Sequence, residues 1–169
     1  MFPETHLFLA EDVITQCRAR GLTVAVAESC TGGLIAGCLT AVPGASDVLE
    51  RGFVTYANEA KSEMLGVSPE MLLEHGAVSE AIARAMADGA LKYSNADISV
   101  SVTGIAGPGG ATDGKPVGLV HIASARKEHE TLHDKYIFSG NRDTVRLQAV
   151  TAALHLLKRQ ASGHEPVQI

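Results

Sequence analysis

The chain has 169 residues, 46% of them hydrophobic, and a formal net charge of −5, with acids and bases mixed along its length. That length buries a full core without disulfides or a structural metal, and one domain over residues 1–161 is expected. The acidic balance argues against nucleic acid as a partner, because phosphate binding asks for a basic patch.

No apolar run approaches the roughly 18 residues of a membrane span. Met1-Phe2-Pro3-Glu4-Thr5 lacks the charged-then-apolar pattern of a signal peptide. Cys17, Cys30 and Cys38 are odd in number and without metal-type spacing, which fits a reducing, cytoplasmic setting.

A first helix is predicted over Glu4 to Arg20, with Leu7, Ala10, Ile14 and Cys17 near one face and Gly21 as its stop. Leu22 to Ala27 alternates and is partly β-branched, so it reads as a strand, while Leu34 to about Ala41 has helical spacing. Between them lies Glu28-Ser29-Cys30-Thr31-Gly32-Gly33. Free backbone N–H groups and the positive end of a helix dipole meet at such a junction, ready for an anion or a developing oxyanion.

Pro43-Gly44-Ala45-Ser46 is a break, and Arg51 to Tyr56 is a short strand. Asn58 is the expected N-cap of a helix over Glu59 to Leu65, which puts Lys61 in its first turn. A short helix over Glu70 to Glu74 follows Ser68-Pro69. Ser79 caps a longer one over Glu80 to Lys92, whose Ile82, Met86 and Ala90 recur at i, i+4 and i+8.

Asp97 to Thr103 alternates between Ile98, Val100, Val102 and Ser99, Ser101, Thr103, then ends in a second glycine-rich loop, Gly104 to Gly110. Val117 to Ala125 and Leu132 to Phe138 are predicted to form an antiparallel hairpin. Asn141 caps a last helix with Leu147, Val150, Leu154 and Leu157 inward, and residues 162–169 are expected to be a disordered tail.

Helices before, between and after strands imply an α/β fold, a three-layer α/β/α sandwich with a mixed, mostly parallel sheet. Ligands bind such sheets at the carboxyl ends of parallel strands. Ser29 and Thr103-Gly104 both fall at predicted strand ends, so the two glycine-rich loops face each other if those strands are parallel neighbours.

Several side chains are candidates for chemistry. Ser29 is a nucleophile if a base reaches it, or else Ser29 or Thr31 simply caps the helix. Cys30 is the rival nucleophile, but a thiolate mechanism wants a paired histidine, and a buried cysteine is the plainer reading. Tyr56, Asn58 and Lys61 put a phenol, an amide and an amine within six residues. A lysine near a helix N-terminus opposes the dipole, and desolvation there makes it a usable base; on the surface it is merely solvated.

Gly109 to Lys115 nearly matches a phosphate loop, but Pro116 stands where the magnesium-binding hydroxyl belongs and a strand follows, so that reading is rejected. Arg142 and Arg146, at i and i+4, suit a phosphate or an ion pair with Asp143. His129 and His133 flank Glu130 as a metal pair or a charged turn. No metal site and no cofactor are expected.

Taken together, Ala27 to Gly33, Arg51 to Tyr56, Asn58 to Lys61 and Gly76-Ala77-Val78-Ser79 resemble the CinA C-terminal family, the nicotinamide-nucleotide amidases. Thr103 to Pro108, Lys115-Pro116-Val117-Gly118 and Phe138 to Arg142 continue the pattern in the same order, and the similarity runs from about Glu11 to Leu157. The least typical segment is Ala111-Thr112-Asp113. The N-terminal domain of two-domain members has no counterpart here, so the stand-alone form is expected.

The resemblance implies hydrolysis of the carboxamide of nicotinamide mononucleotide to nicotinate mononucleotide and ammonia, and a homo-oligomer. Ser29 matches the family's serine, and Tyr56 and Lys61 match its tyrosine and lysine. On this reading Lys61 takes the Ser29 proton directly or through Tyr56, and amides among Cys30, Thr31, Gly32 and Gly33, with Thr103 or Gly104, stabilise the oxyanion. Arg142 or Arg146 then takes the phosphate. The alternative is a catalytically silent module that binds pyridine nucleotides in competence or DNA-damage responses.

Overall fold

Why the chain layers as it does is visible in how its strands pair. In the computed structural model, which describes residues 1–163, β1 (Val24–Glu28) lies between β2 (Leu49–Val54) and β3 (Ile98–Gly104), parallel to both. β4 (Leu119–Arg126) pairs antiparallel with β3, and β5 (Leu132–Ile137) antiparallel with β4. The sheet order is β2-β1-β3-β4-β5, so every strand but β4 points the same way, as the mixed and mostly parallel expectation requires.

Alternation sends Val24, Val26, Ile98, Val100, Val102, Val120 and Ile122 to one face, against α2 (Leu34–Thr40) and α6 (Arg142–Ala161). α1 (Glu4–Ala19) closes that layer through Ala10, Val13, Ile14 and Cys17. Within α6, Val150, Leu154 and Leu157 are buried as the spacing predicted, while Leu147 is only half-buried.

The other face carries α3 (Asn58–Leu65), α4 (Pro69–His75) and α5 (Glu80–Lys92). There Ala25, Ala27 and Phe53 meet Leu65, Ile82, Met86 and Ala90. The serines of β3 point this way and are fully buried. Ser99 Oγ donates to Ala87 O at 2.7 Å and Ser101 Oγ to Ala83 O at 2.6 Å, both carbonyls of α5. Each such bond contributes about 1 kcal/mol net, and the small side chains let the helix lie close. Polar alternation in β3 therefore marks a helix-docking face.

Element ends differ from the spacing at three informative places. β1 begins at Val24 because Thr23 is tied down, its N–H and Oγ both donating to Asp97 Oδ2 at 2.9 Å. It runs on to Glu28, which pairs with both Val54 and Val102. β2 starts at Leu49, opposite Val24, and ends before Tyr56. Asn58 is the first helical residue of α3 rather than its cap; Ala57 takes the extended cap conformation and no side chain caps the helix.

No described helix is long and apolar enough to cross a membrane. Of the tail expected over residues 162–169, Ser162 instead caps α6 and Gly163 follows it, while 164–169 lie outside the described residues.

Candidate active site

At the carboxyl edge of the sheet the chain leaves β1 through Ser29, whose N–H donates to Val102 O of β3 at 3.0 Å. Ala25 and Ala27 face α3 and α5, and alternation puts Ser29 on that same side. Lys61 of α3 reaches it, with Nζ 3.2 Å from Ser29 Oγ. The same Nζ donates to Thr55 O at 2.9 Å and to Tyr56 O at 3.3 Å. Thr55 is held in turn by its N–H on Glu28 O at 2.9 Å.

Lys61 is 1% exposed, and all three of its partners are neutral oxygens. Burial therefore lowers its pKa from the ordinary 10.5, and the neighbouring Cys30 opposes that shift only in part. A neutral amine has two hydrogens for the two carbonyls and a lone pair left for the serine hydroxyl. Cys30 is 6% exposed, and burial pushes its thiol up to about 11, so it stays protonated at neutral pH.

The turn after Ser29 is shaped by Gly32 (φ +57°) and Gly33 (φ +103°), a conformation that side chains with a Cβ adopt only under strain. Gly32 N–H closes the turn on Ser29 O at 3.0 Å, and Leu34 N–H bonds Thr31 O at 3.1 Å. The next two amides are taken by the fully buried Glu28 carboxylate: Ile35 N–H at 2.9 Å and Ala36 N–H at 3.1 Å. Glu28, not Ser29 or Thr31, caps α2. The amides of Cys30, Thr31 and Gly33 have no hydrogen-bond partner among the described residues.

Across the edge, β1 and β3 are parallel neighbours, so the two glycine-rich segments do meet. Ile105 N–H bonds Leu119 O on the β4 side, whereas Val102 O bonds Ser29 on the β1 side. By the alternation of a strand's hydrogen-bonding groups, the amide of Gly104 points toward Ser29 and that of Thr103 toward β4. Thr103 Oγ is engaged as well, 2.8 Å from Ala77 O. Of that pair, only Gly104 faces the serine.

The arginines lie at this edge with both guanidiniums engaged. Arg146 donates from Nε to Cys30 O at 3.1 Å and from Nη2 to Thr31 O at 3.3 Å, bracing the serine turn from outside. Arg142 donates to Gly107 O at 2.8 Å and to the Tyr56 hydroxyl at 2.9 Å. Tyr56 thus lies at the rim, 60% exposed, with its hydroxyl on Arg142 and not between Lys61 and Ser29. Asn58 lines a separate groove between α3 and α4 with Glu59, Ser62, Glu63 and Leu72.

His129 and His133 do not share a site. His129 Nδ1 lies on Lys127 O, and His133 Nε2 is 2.9 Å from His121 Nδ1. Two site residues had no role in the sequence reading: Glu28 and, through its carbonyl, Thr55. Glu28 sits seven and eight residues before the amides it caps, outside the spacing of a capping box, so no local rule points to it.

A serine–lysine pair at the carboxyl edge of a mixed α/β/α sheet is the class of site this fold defines. The chain belongs to the CinA C-terminal domain family, whose model matches residues 6–161. It is 51% identical over 152 residues to the nicotinamide-nucleotide amidohydrolase PncC of Escherichia coli, covering 90% of this chain and 92% of that one. It is 54% identical over 151 residues to a competence-damage inducible protein of Caldicellulosiruptor saccharolyticus, covering 89% of this chain but only 36% of that longer relative. Among solved structures, the competence/damage inducible protein CihA of Agrobacterium tumefaciens superposes with a TM-score of 0.91 at 50% identity, over 93% of this chain and 96% of the other.

Proposed function

We propose that this protein is an amidohydrolase that converts nicotinamide mononucleotide to nicotinate mononucleotide and ammonia, with Ser29 as nucleophile and Lys61 as base. The observation that carries the reading is the 3.2 Å contact between Ser29 Oγ and a lysine amine buried without a carboxylate partner. The identity to the Escherichia coli amidohydrolase over nearly the whole of both chains supports the substrate.

Ser29 Oγ attacks the carboxamide carbon while its proton passes to Lys61 Nζ. The resulting oxyanion lies toward the open amides of Thr31 and Gly33 and the amide of Gly104. One lost donor of this kind costs about 3 kcal/mol of barrier. Lys61 then returns the proton to the departing nitrogen, the C–N bond breaks and ammonia leaves. Water, deprotonated by the same amine, attacks the acyl carbon and the Ser29 ester is released. Tyr56 borders the entrance, where Arg142 fixes its ring.

Ammonia release from nicotinamide mononucleotide by the wild type and by Ser29→Ala is the test. The wild type turns over and Ser29→Ala loses at least about a thousandfold. Full activity in Ser29→Ala overturns the mechanism. Calorimetric binding of the nucleotide with no ammonia at high protein concentration identifies a silent binding module instead.

A further inference from the structure

The mechanism leaves unused a carboxylate that is completely buried beside the nucleophile. Glu28 is 0% exposed, directly precedes Ser29, and its two oxygens accept from Ile35 N–H at 2.9 Å and Ala36 N–H at 3.1 Å. We infer that Glu28 is a positioning residue for the reaction. Its carboxylate anchors the first turn of α2, its carbonyl anchors Thr55, whose own carbonyl holds Lys61 Nζ, and both halves of the serine–lysine pair are registered against one residue.

The main-chain half of that statement is a short chain of contacts. Glu28 O accepts from Thr55 N–H at 2.9 Å, and Thr55 O is the nearest acceptor of Lys61 Nζ, also at 2.9 Å. The side-chain half concerns amides. A helix start has orphan donors that must be satisfied, and a buried one has no water to turn to. Glu28 takes those of Ile35 and Ala36 through charge-assisted bonds at the positive helix end.

With both ends of the Ser29–Gly33 turn thereby held, the amides of Thr31 and Gly33 are left unpaired among the described residues. Arg146 completes the frame from the opposite side by engaging the turn's carbonyls at Cys30 and Thr31. Both Glu28 carboxylate oxygens are engaged by amides of α2. Its effect passes through α2 and the turn.

Glutamine at this position has the same length but only one acceptor; its NH2 group must face a second N–H donor. The start of α2 then shifts, and small displacements of preorganised groups cost catalysis far more than binding. This inference rests on the serine–lysine reading above. Wild-type turnover of nicotinamide mononucleotide tests that reading, whereas the variants below test Glu28.

The experiment measures kcat, KM and the pH profile of ammonia release for Glu28→Gln and Ala36→Pro. The second variant deletes the 3.1 Å bond from the helix side and keeps the carboxylate, at a first-turn position where proline is tolerated. The expected result is a kcat lower by about 10- to 100-fold in each, KM within about threefold, and a pH midpoint of kcat/KM equal to the wild type, because the link to Lys61 is untouched. A folded variant of either kind that keeps kcat within twofold overturns the inference. So does a loss of rate that only follows the fraction of unfolded protein, or loss of the fold in both variants. If Glu28→Gln alone fails to fold, Ala36→Pro decides.

Discussion

Replacing Lys61 with methionine isolates the amine from the space it fills. Methionine is unbranched and close in volume, so the pocket beside Leu65 and Thr55 stays filled. What disappears is the amine at 3.2, 2.9 and 3.3 Å from Ser29 Oγ, Thr55 O and Tyr56 O. Leaving buried acceptors unpaired costs about 1–3 kcal/mol, and removing a desolvated amine with no counter-ion offsets part of it. The net effect is a Tm change of a few degrees for a domain of this size. Activity is another matter, because a lost general base costs about 10²–10⁴ in rate, or about 3–5 kcal/mol of barrier.

The sign of the pH dependence follows from the same burial. Lys61 accepts a proton only when neutral, so the wild-type rate climbs as pH rises through a lysine pKa held below the ordinary 10.5. Steady-state ammonia release across pH, with thermal melts of both proteins, measures the two effects separately. A folded Lys61→Met variant within tenfold of wild-type kcat, or one that keeps the wild-type ascending limb, refutes the assignment of Lys61 as base.

Cys30→Ala is expected to keep kcat within about threefold, because a buried thiol with a pKa near 11 supplies no thiolate at neutral pH; a loss beyond tenfold points to sulfur chemistry. His121, 8% exposed and 2.9 Å from His133, has a pKa lowered from 6.5 to about 4, first by burial and then by the adjacent His133. The unfolded chain therefore binds the proton more readily. Stability present above pH 6.5 is lost as pH falls toward 4, by up to about 3 kcal/mol. Urea unfolding at several pH values is expected to show a flatter curve for His121→Asn, and parallel curves contradict the reasoning. A Cβ on Gly89 of α5 would collide with the backbone carbonyl of Leu65 at the end of α3. Gly89→Ala is thus expected to destabilise by about 1–3 kcal/mol and, since α3 carries Lys61, to lower kcat at equal folded fraction.

The layer order, the helix-docking stripe of α5 and the buried face of α6 were legible in the sequence because amphipathic periods of 2 and 3.6 are local signals. The glycine turn after Ser29 was legible for the same reason, since glycines at a strand-to-helix junction declare an unusual backbone. Side-chain partners were not legible in the same way. Arg142 is hydrogen-bonded to Tyr56 and Gly107, and Arg146 to Cys30 and Thr31, contacts that no spacing announces. Thr103 turned away because its hydroxyl found Ala77 O and its amide faces β4.

What residue order determined here is thus the set of elements and the places where chemistry is feasible. Tertiary structure decided the partners. Lys61 meets Ser29 from 32 residues away and Arg146 meets Cys30 from 116, through contacts that exist only once β1 lies between β2 and β3 in one register. A hydrogen bond depends on distance and direction to within tenths of an ångström, and hydrophobic periodicity specifies a face but not a partner. Glu28 shows the difference most directly: as a residue it is an acid at a strand end, and only the docking of α2 makes it the cap on which the serine turn is built.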